Sequence, residues 1–481
     1  MSRLTEHLEG RAHELGAELE RKPADGIYVV GYAARSPLGK DADSMFDEML
    51  NGASGIKSIP VVNPLSRIAG PIEFEPKDFF NRKELRGASH VTALSSAMAR
   101  DAALMAGLIG EDGKTLQSDL NRKRVAAWIA GGIGSAPQII KIFKKMYEGT
   151  EEIADEEKRD AKMLHNLGSS DLLFAGMEAF PQGIVGHPAR RLGFSGWSGG
   201  TAEACATGLS NLVEAARLIE GGYADIVFAG GFEDVLSDPD KLNLPGVGLA
   251  AFSPLRALSS RNDAPEKASR PFDRDRNGFV FSAGGGIVVL ERKDHVLERI
   301  KKGSQVEILC EVTGFSKSID GYHETQLDVK NVARTTIEAL YNKLTHKMEG
   351  VGAFFAHATS TPVGDRMEAE VLEEVFGKFL QDIPIAAIKS NIGHTMGGAG
   401  ILNAIVALIS LRRNIMPHII NLDNPRLNVE DLSADDDPRV NKMQFVRGKP
   451  LEKELESTGA GAYGFDGMNA AMRFKKYHTT D

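Results

Sequence analysis

Short apolar runs alternate with amphipathic stretches along the chain. Residues 26–31, 125–130, 224–230 and 286–291 are rich in valine, isoleucine, alanine and glycine, and they predict buried β-strands. Because these runs lack the regular polar alternation of a half-exposed strand, we expect them in a sheet that is covered on both faces. Apolar residues at helical spacing lie between them, most clearly over residues 206–220.

A second series of the same kind begins near residue 305. Residues 352–355, 383–388 and 459–465 predict further strands, and residues 400–412 predict a strongly apolar helix. Strands and helices therefore alternate in both parts of the chain, which is typical of a layered α/β architecture.

Two segments interrupt this alternation. Residues 1–22 carry leucines at positions 4, 8, 15 and 19 and five glutamates, which predicts a short amphipathic helix and argues against a signal or transit peptide. The stretch over residues 147–167 is polar, highly charged and has helical signals. We interpret it as part of an inserted cap or dimer contact.

Composition narrows the function classes. The chain has 481 residues, enough for several domain-sized units, and its formal net charge of −9 argues against a general nucleic-acid binder. No apolar run approaches the roughly 18 residues that a membrane span needs, so we expect no span. The two cysteines argue against a disulfide framework and indicate a reducing, cytoplasmic location. Cys310 lies in an apolar, strand-like run and is predicted to be a core residue.

The other cysteine, Cys205, lies in Ala-Cys-Ala-Thr-Gly, where the helical pattern over residues 206–220 begins. A thiol at a helix N-terminus faces the positive end of the helix dipole, so we expect the thiolate to be favoured. The competing interpretation is a buried structural cysteine.

Two histidines follow predicted strands of the second series. His357 opens His-Ala-Thr-Ser-Thr-Pro at a strand end, where α/β sheets place their sites, although a surface-loop histidine is the alternative. Asp365 and Glu368 come next, at a spacing that places them one turn apart on a helix. Lys389 and His394 delimit Lys-Ser-Asn-Ile-Gly-His before a glycine-rich turn, for which phosphate binding is the alternative.

The order of these motifs resembles the β-ketoacyl-acyl carrier protein synthases of type I and II, which are the elongating condensing enzymes of the thiolase superfamily. The likeness runs from about residue 26 to residue 476. It includes Arg-Pro-Phe-Asp-Arg-Asp-Arg-Asn-Gly-Phe-Val at 270–280 and the turn Tyr-Gly-Phe-Asp-Gly-Met-Asn at 463–469. The resemblance implies a thiolase-like layered αβαβα fold, of the α/β class, with two similar halves.

The resemblance also implies an order of domains. We expect a helical extension over residues 1–25, an N-terminal half over 26–300 with the nucleophilic cysteine, and a C-terminal half over 301–481 with both histidines. The cap or dimer insertion is expected around residues 136–195.

The family's catalytic roles fall on matching positions of this chain. Cys205 resembles the nucleophile that accepts an acyl chain from acyl carrier protein. His357 and His394 resemble the pair that binds the malonyl thioester carbonyl and stabilises the enolate after decarboxylation. Lys389 resembles the lysine that supports the histidine site electrostatically. Phe465 resembles the gate of the acyl pocket, and its backbone N–H would form the oxyanion hole with that of Cys205.

Further positions are implied to shape the site around these groups. They are Thr359 and Thr361 at the pantetheine, Ile133 in the acyl pocket, and Asp365 with Glu368 as a structural acidic pair.

The implied reaction is a decarboxylative Claisen condensation of an acyl-Cys205 intermediate with malonyl-acyl carrier protein, in fatty acid or related polyketide-type synthesis. We expect no metal and no cofactor, since the substrates are carried on the phosphopantetheine of acyl carrier protein. We also expect a homodimer. Because the carrier is acidic, we expect a basic docking patch, although each candidate cluster could instead be an ordinary solvated helix face. The candidates are Lys77, Arg82, Lys83 and Arg86, and Lys141, Lys144 and Lys145.

The chain departs from the family pattern around the site. Asp466 replaces a glycine beside the gate, where aspartate tolerates left-handed backbone but a carboxylate facing the site would disfavour a thiolate. Glu203 replaces a small or hydroxyl residue two positions before Cys205, Met468 replaces a threonine, and Ala358 replaces a glycine. We interpret these changes as those of a specialised condensing enzyme with an unusual acyl chain or carrier.

Two other functions compete with this one. A non-catalytic, chain-length-setting partner subunit of a heterodimeric ketosynthase would typically lack the cysteine. A degradative thiolase or a bare malonyl decarboxylase is disfavoured by a cysteine together with two histidines.

Overall fold

The computed structural model describes residues 24–478 apart from 62–64, 86–87, 111, 133–135, 169–179, 235, 237–248, 251, 343–346 and 349. The amphipathic helix predicted at the N-terminus lies outside the described residues.

The strands of the described chain are short at the edges and longest at the centre. They are β1 Ile27–Arg35, β2 Lys57–Ser58, β3 Ile68–Ala69, β4 Val125–Gly131, β5 Ser198–Gly199, β6 Ile226–Glu233, β7 Gly284–Arg292, β8 Cys310–Ile319, β9 Tyr341–Asn342, β10 Lys347–Met348, β11 Phe354–Phe355, β12 Pro384–Ala386, β13 Ile415–Met416, β14 Gln444–Phe445, β15 Leu451–Glu452, β16 Ser457–Gly464 and β17 Met468–Lys475.

The α-helices of the same residues follow in chain order. They are α1 Ala42–Leu50, α2 His90–Met105, α3 Ala136–Tyr147, α4 Glu156–Leu167, α5 Gly183–Leu192, α6 Thr207–Glu220, α7 Lys293–Lys301, α8 Val329–Leu340, α9 Pro362–Phe376, α10 Lys389–Ile392 and α11 Ala399–Arg413.

One 11-stranded sheet has the order β14-β12-β11-β16-β17-β8-β1-β7-β6-β4-β5. On one side of the β1–β8 pair, β1, β7 and β6 are antiparallel neighbours and β4 joins β6 in parallel. On the other side, β8, β17 and β16 are antiparallel neighbours and β11 joins β16 in parallel. The backbone topology therefore repeats, and the fold has two similar halves as expected.

Helices α6 and α11 form the layer between the halves. They contact each other, and each also contacts strands of both halves. Helix α11 is buried from Ala399 to Leu411, which accounts for its uniformly apolar sequence. Helices α2 and α5 pack on the first half and α8 packs on the second, with α9 against it. The result is the αβαβα layering, in which the interior strands are covered on both faces.

The predicted elements are present with small shifts at their ends. The run at 26–31 becomes β1, the run at 224–230 becomes β6, and the charged stretch before residue 167 contains α4. Cys310 begins β8 and is fully buried, as predicted for a core cysteine.

One segment of the described chain, Met396–Arg413, is long and apolar enough by length and composition to cross a membrane, which the sequence analysis did not anticipate. Within it, 89% of the residues are buried inside the protein, as for a core helix.

Candidate active site

Cys205 lies in a 3₁₀ turn, Ala204–Ala206, that leads into α6, and it is 4% exposed. Ala204 has a φ of 46°, in the left-handed region. The Thr207 hydroxyl closes this turn, because its Oγ1 accepts the Glu203 N–H and donates to the Ala204 carbonyl, both at 2.8 Å. We call residues 203–207 the nucleophile turn.

The ionisation of Cys205 differs from the sequence prediction. Burial raises the pKa of its thiol to about 12, and the Glu233 carboxylate contributes to the rise. The charge of Lys389 and the backbone N–H groups of Cys205 and Phe465 lower this pKa only in part. The predicted thiolate is therefore wrong for the resting site, because desolvation of a fully buried anion outweighs the helix dipole.

The imidazole of His394 faces the thiol. Its Nε2 atom lies 3.1 Å from Cys205 Sγ, and its Nδ1 atom accepts the Met396 N–H at 3.2 Å. Because Nδ1 is an acceptor, the ring proton is on Nε2. Burial, together with the charge of Lys389, holds the pKa of His394 well below its usual value, so the ring is neutral.

His357 is held in the same tautomer. Lys389 Nζ lies 3.4 Å from its Nδ1 atom and also donates to its carbonyl oxygen. An ammonium group only donates, so Nδ1 accepts and the proton is on Nε2. Burial, then Lys389 and His394, lower the pKa of His357 far below its usual value. His357 is 7% exposed, so the surface-loop alternative is wrong.

These three side chains form one compact cluster. Cys205 Sγ and one nitrogen of each histidine lie within 4.8 Å of one another, and the two rings are nearly perpendicular. Sulfur and two imidazoles are also metal ligands. However, each Nε2 carries a proton rather than a free lone pair. This arrangement favours an oxygen with developing negative charge over a cation.

The acidic pair holds the backbone around His357. Asp365 and Glu368 lie one turn apart on α9, as predicted, and both are buried. Glu368 accepts the N–H groups of His357 at 2.7 Å and Ala358 at 2.5 Å, and Asp365 accepts the Ser360 N–H at 3.0 Å. These bonds fix a loop in which two non-glycine residues have positive φ, Ala358 at 33° and Ser360 at 67°.

Lys389 supplies a buried positive charge beside this loop. It is 3% exposed at the start of α10. Burial lowers the pKa of Lys389 and raises that of Glu368, while the attraction between the two charges opposes both shifts. Lys389 therefore lies beside both histidines, and the attraction of Glu368 opposes the loss of its positive charge.

Arg276 lies in the motif at residues 270–280 and has a role that the sequence did not indicate. The Arg276 guanidinium is 3.6 Å from Asp365 and donates to the carbonyls of Thr361 and Pro362 at 3.1 and 2.8 Å. These contacts therefore hold the start of α9 in place.

A cavity of about 330 Å³ begins at Cys205 and His394. Thr359 and Thr361 line it with their hydroxyls 3.0 Å apart, and Phe465 lines it beside the nucleophile. The predicted pocket residue Ile133 lies outside the described residues. Other lining residues, which the sequence analysis did not single out, are Leu255, Phe279, Thr325, Leu327, Val363, Met396 and Tyr463.

Two departures from the family pattern leave the site itself unchanged. Asp466 has a φ of 58°, as its tolerance of left-handed backbone predicts, and its side chain is exposed rather than facing the thiol. Met468 is half-buried and packs against the central core.

Glu203 has a charged partner that the sequence did not indicate. Its Oε1 atom lies 2.6 Å from Lys317 Nζ. Lys317 belongs to no motif and comes from β8, more than a hundred positions along the chain. Strand β8 also contains Glu311 and three hydroxyl residues, so no local signal marked Lys317 in the sequence.

Comparison with known proteins agrees with this geometry. Residues 24–295 match the family model described as "Beta-ketoacyl synthase, N-terminal domain", and residues 309–423 match "Beta-ketoacyl synthase, C-terminal domain". The chain is 31% identical over 456 residues to 3-oxoacyl-(acyl-carrier-protein) synthase 2 of Vibrio cholerae, covering 94% of this chain and 99% of that protein. The protein of the same name from Coxiella burnetii is 30% identical over 453 residues, covering 93% of this chain and 97% of its own length.

Solved structures share the fold. A β-ketoacyl synthase from Burkholderia phymatum STM815 matches with a TM-score of 0.78 at 24% identity, covering 94% of this chain and 100% of that one. The ishigamide ketosynthase/chain length factor matches with a TM-score of 0.76 at 22% identity, covering 95% and 100%.

Proposed function

The chain belongs to the β-ketoacyl synthase family, and we propose that it condenses an acyl group held on Cys205 with malonyl-acyl carrier protein. Membership confirms the family resemblance found in the motifs. The observation that supports this reaction best is the placement of one buried thiol against two neutral imidazoles whose Nε2 protons are fixed by their neighbours.

The first proposed step transfers the acyl group to Cys205. The sulfur attacks the acyl thioester carbonyl, the bond to the pantetheine sulfur breaks, and the thiol proton leaves with that pantetheine. The backbone N–H groups of Cys205 and Phe465 stabilise the negative oxygen of the tetrahedral intermediate. Covalent transfer divides one difficult reaction into two easier ones.

The second proposed step acts on the malonyl thioester. The Nε2–H groups of His357 and His394 donate to its carbonyl oxygen. Loss of carbon dioxide leaves an electron pair, which these donors stabilise as an enolate. The enolate carbon then attacks the acyl carbonyl, the bond to Cys205 breaks, and a β-ketoacyl thioester leaves. The sulfur takes up one proton from solvent, which restores the Cys205 thiol. Because decarboxylation itself generates the carbanion, this cycle uses no metal and no other cofactor.

Lys389 and the acidic pair support these donors. The ammonium of Lys389 keeps Nδ1 of His357 an acceptor and lowers the pKa of both rings. Glu368 balances that charge and holds the His357 backbone. The hydroxyls of Thr359 and Thr361 line the cavity where we place the pantetheine.

Acyl carrier protein is the proposed partner, since the curated relatives described above are named 3-oxoacyl-(acyl-carrier-protein) synthases. Of the two basic clusters, the first is the better candidate. Lys83 lines a groove with Arg100, Arg190 and Arg191. Lys145 of the second cluster is paired with Glu148 at 2.6 Å, which is closer than the 3.7 Å between Lys77 of the first cluster and Glu75. Arg86 and the side chain of Lys141 lie outside the described residues.

We further propose a cytoplasmic homodimer in which the inserted helices meet the partner subunit. Helices α3 and α4 expose large apolar side chains, with Ile139 at 44%, Phe143 at 55% and Leu164 at 70%. A partner subunit lying across both helices would remove these apolar side chains from water, as at surfaces that a second chain covers.

The chain-length-setting partner is the less favoured alternative. The four residues that chemistry requires, Cys205, His357, Lys389 and His394, are present and in contact. The departures at Glu203 and Ala358, which lie in the nucleophile turn and beside His357, support a specialised acyl chain or carrier. Elongation of common straight-chain carriers at housekeeping rates would contradict that specialisation.

The reaction is tested by supplying acyl and malonyl carrier proteins together and identifying the product by mass spectrometry. A β-ketoacyl carrier that is lost in Cys205→Ala is expected. Folded wild-type protein that makes no such product with any acyl donor would refute the proposal.

A further inference from the structure

A charged network lies beside the nucleophile turn. Lys317 Nζ is 2.6 Å from Glu203 Oε1 and 2.9 Å from Glu214 Oε1 on α6, and Glu214 Oε1 is 2.9 Å from Arg217 Nη1. The side chains of Glu203, Lys317 and Glu214 are only 14%, 18% and 22% exposed. Charge-assisted bonds shielded from water in this way hold a defined geometry.

The network connects two segments that are distant in sequence. Glu203 belongs to the nucleophile turn, and its carbonyl accepts the Ala206 N–H at 2.9 Å. Lys317 lies on β8, opposite Ala470 of β17. Strand β17 begins directly after the turn Phe465–Gly467. The ion pair therefore joins the turn that contains Cys205 to the strands that position Phe465.

These two segments supply the two N–H groups of the proposed oxyanion hole. Gly464 packs closely against the nucleophile turn. A Cβ atom added to Gly464 would lie 2.8 Å from the backbone carbonyl oxygen of Glu203 and 3.2 Å from the backbone nitrogen of Cys205. Ala204, between Glu203 and Cys205, holds a left-handed backbone conformation that is unfavourable for alanine. We therefore expect a contact from another segment of the chain to hold the nucleophile turn in this position.

We propose that Lys317 is a positioning residue for acyl transfer. Its bond to Glu203 holds the nucleophile turn against the second half of the fold. This contact fixes the distance between the backbone N–H groups of Cys205 and Phe465. This inference rests on the proposed function, because it concerns the same site. It also gives a role to Glu203, whose charge departs from the family pattern two positions before the nucleophile.

The test separates acyl transfer from decarboxylation. Acylation of Cys205 is followed by rapid quenching and intact mass, and malonyl decarboxylation without an acyl donor is followed by carbon dioxide release. Lys317→Met is expected to slow acylation about 10- to 100-fold, since small misplacements at a reacting centre have effects of that size. Decarboxylation, which depends on His357 and His394, is expected to stay close to the wild-type rate.

Two further variants sharpen the result. Lys317→Arg keeps a positive donor within reach of Glu203 and is expected to restore most of the acylation rate. Lys302→Met is the matched control, because Lys302 Nζ is also 2.6 Å from a carboxylate, that of Glu298, but in an exposed pair at the end of α7. It is expected to leave both rates unchanged.

An unchanged acylation rate in Lys317→Met would overturn the inference. So would full recovery in Glu203→Gln/Lys317→Met, since recovery would mean that only an uncompensated carboxylate slows the single variant. Acylation in the double variant is expected to remain slow. If Lys317→Met does not fold, the acylation rate of the double variant tests the inference in its place. Absence of acylation in the wild type would overturn the proposed function itself, and this inference with it.

Discussion

The Nε2 atom of His394 lies 3.1 Å from the Sγ atom of Cys205 and holds the ring proton, because the Met396 N–H occupies Nδ1. The ring therefore presents a hydrogen-bond donor, not a base, to the centre of the site. A donor here stabilises negative charge on the oxygen of a malonyl thioester, which is a requirement of decarboxylation rather than of acyl transfer.

His394→Ala should therefore separate the two half-reactions. Removing one preorganised donor to a developing oxyanion costs about 10²–10³ in rate, and we expect carbon dioxide release from malonyl carrier to fall by that factor. Acylation of Cys205 should persist. His394→Asn, which keeps an N–H donor, should lie between Ala and wild type. Equal loss of both half-reactions in His394→Ala would contradict the assignment.

The reactivity of Cys205 toward iodoacetamide should rise steeply with pH. Only the thiolate reacts, and burial raises the pKa of this thiol to about 12. The rate should increase about tenfold for each pH unit and reach no plateau below about pH 10. Cys205→Ala gives the background. A plateau near neutral pH would show that the helix dipole dominates after all.

Asp466→Gly should not alter the profile, because the Asp466 side chain is exposed.

Lys389→Met should destabilise the fold as well as the reaction. It leaves the buried carbonyl of His357 without the donor that Lys389 supplies, and an unsatisfied buried acceptor costs about 1–3 kcal/mol. The free energy of unfolding, measured in urea, should fall by that order. Lys442→Met, which breaks a more exposed pair with Glu373, should change stability by less than about 1 kcal/mol. Equal effects of the two single variants would refute this account.

Ala358→Gly should stabilise the protein. Ala358 has a φ of 33°, and a left-handed alanine costs about 1–2 kcal/mol. Glycine removes this cost from the folded state. It also gives the unfolded chain more conformational freedom, which offsets about 0.4–1 kcal/mol. We therefore expect the free energy of unfolding to rise by about 0.5–1 kcal/mol. Ala356→Gly, two positions earlier and without a positive φ, should lose stability. A loss at both positions would mean that the loop holds no strain at Ala358.

Much of this arrangement was predictable from sequence. The cysteine, the two histidines and Lys389 stand in local motifs, and motif order identified the family. The layered α/β fold followed from apolar runs that alternate with helical patterns, because periodicity is a local property of the chain. The site's main parts could thus be named before their distances were known.

Other features depend on distances between remote segments and left little trace in the sequence. The contact between Lys317 and Glu203 spans more than a hundred positions and belongs to no motif. The thiolate prediction failed for a related reason. The helix start was visible in the sequence, but the depth of burial that determines the pKa of Cys205 was not.

The central claim is that Cys205 accepts the acyl group, and intact-mass analysis tests it most directly. Wild-type protein and Cys205→Ala are incubated side by side with a panel of acyl carrier thioesters. We predict a mass gain equal to one acyl group in the wild type and none in the variant, with the best donor identifying the preferred chain. No adduct in folded wild type with any donor, or an adduct that persists in Cys205→Ala, would contradict the account.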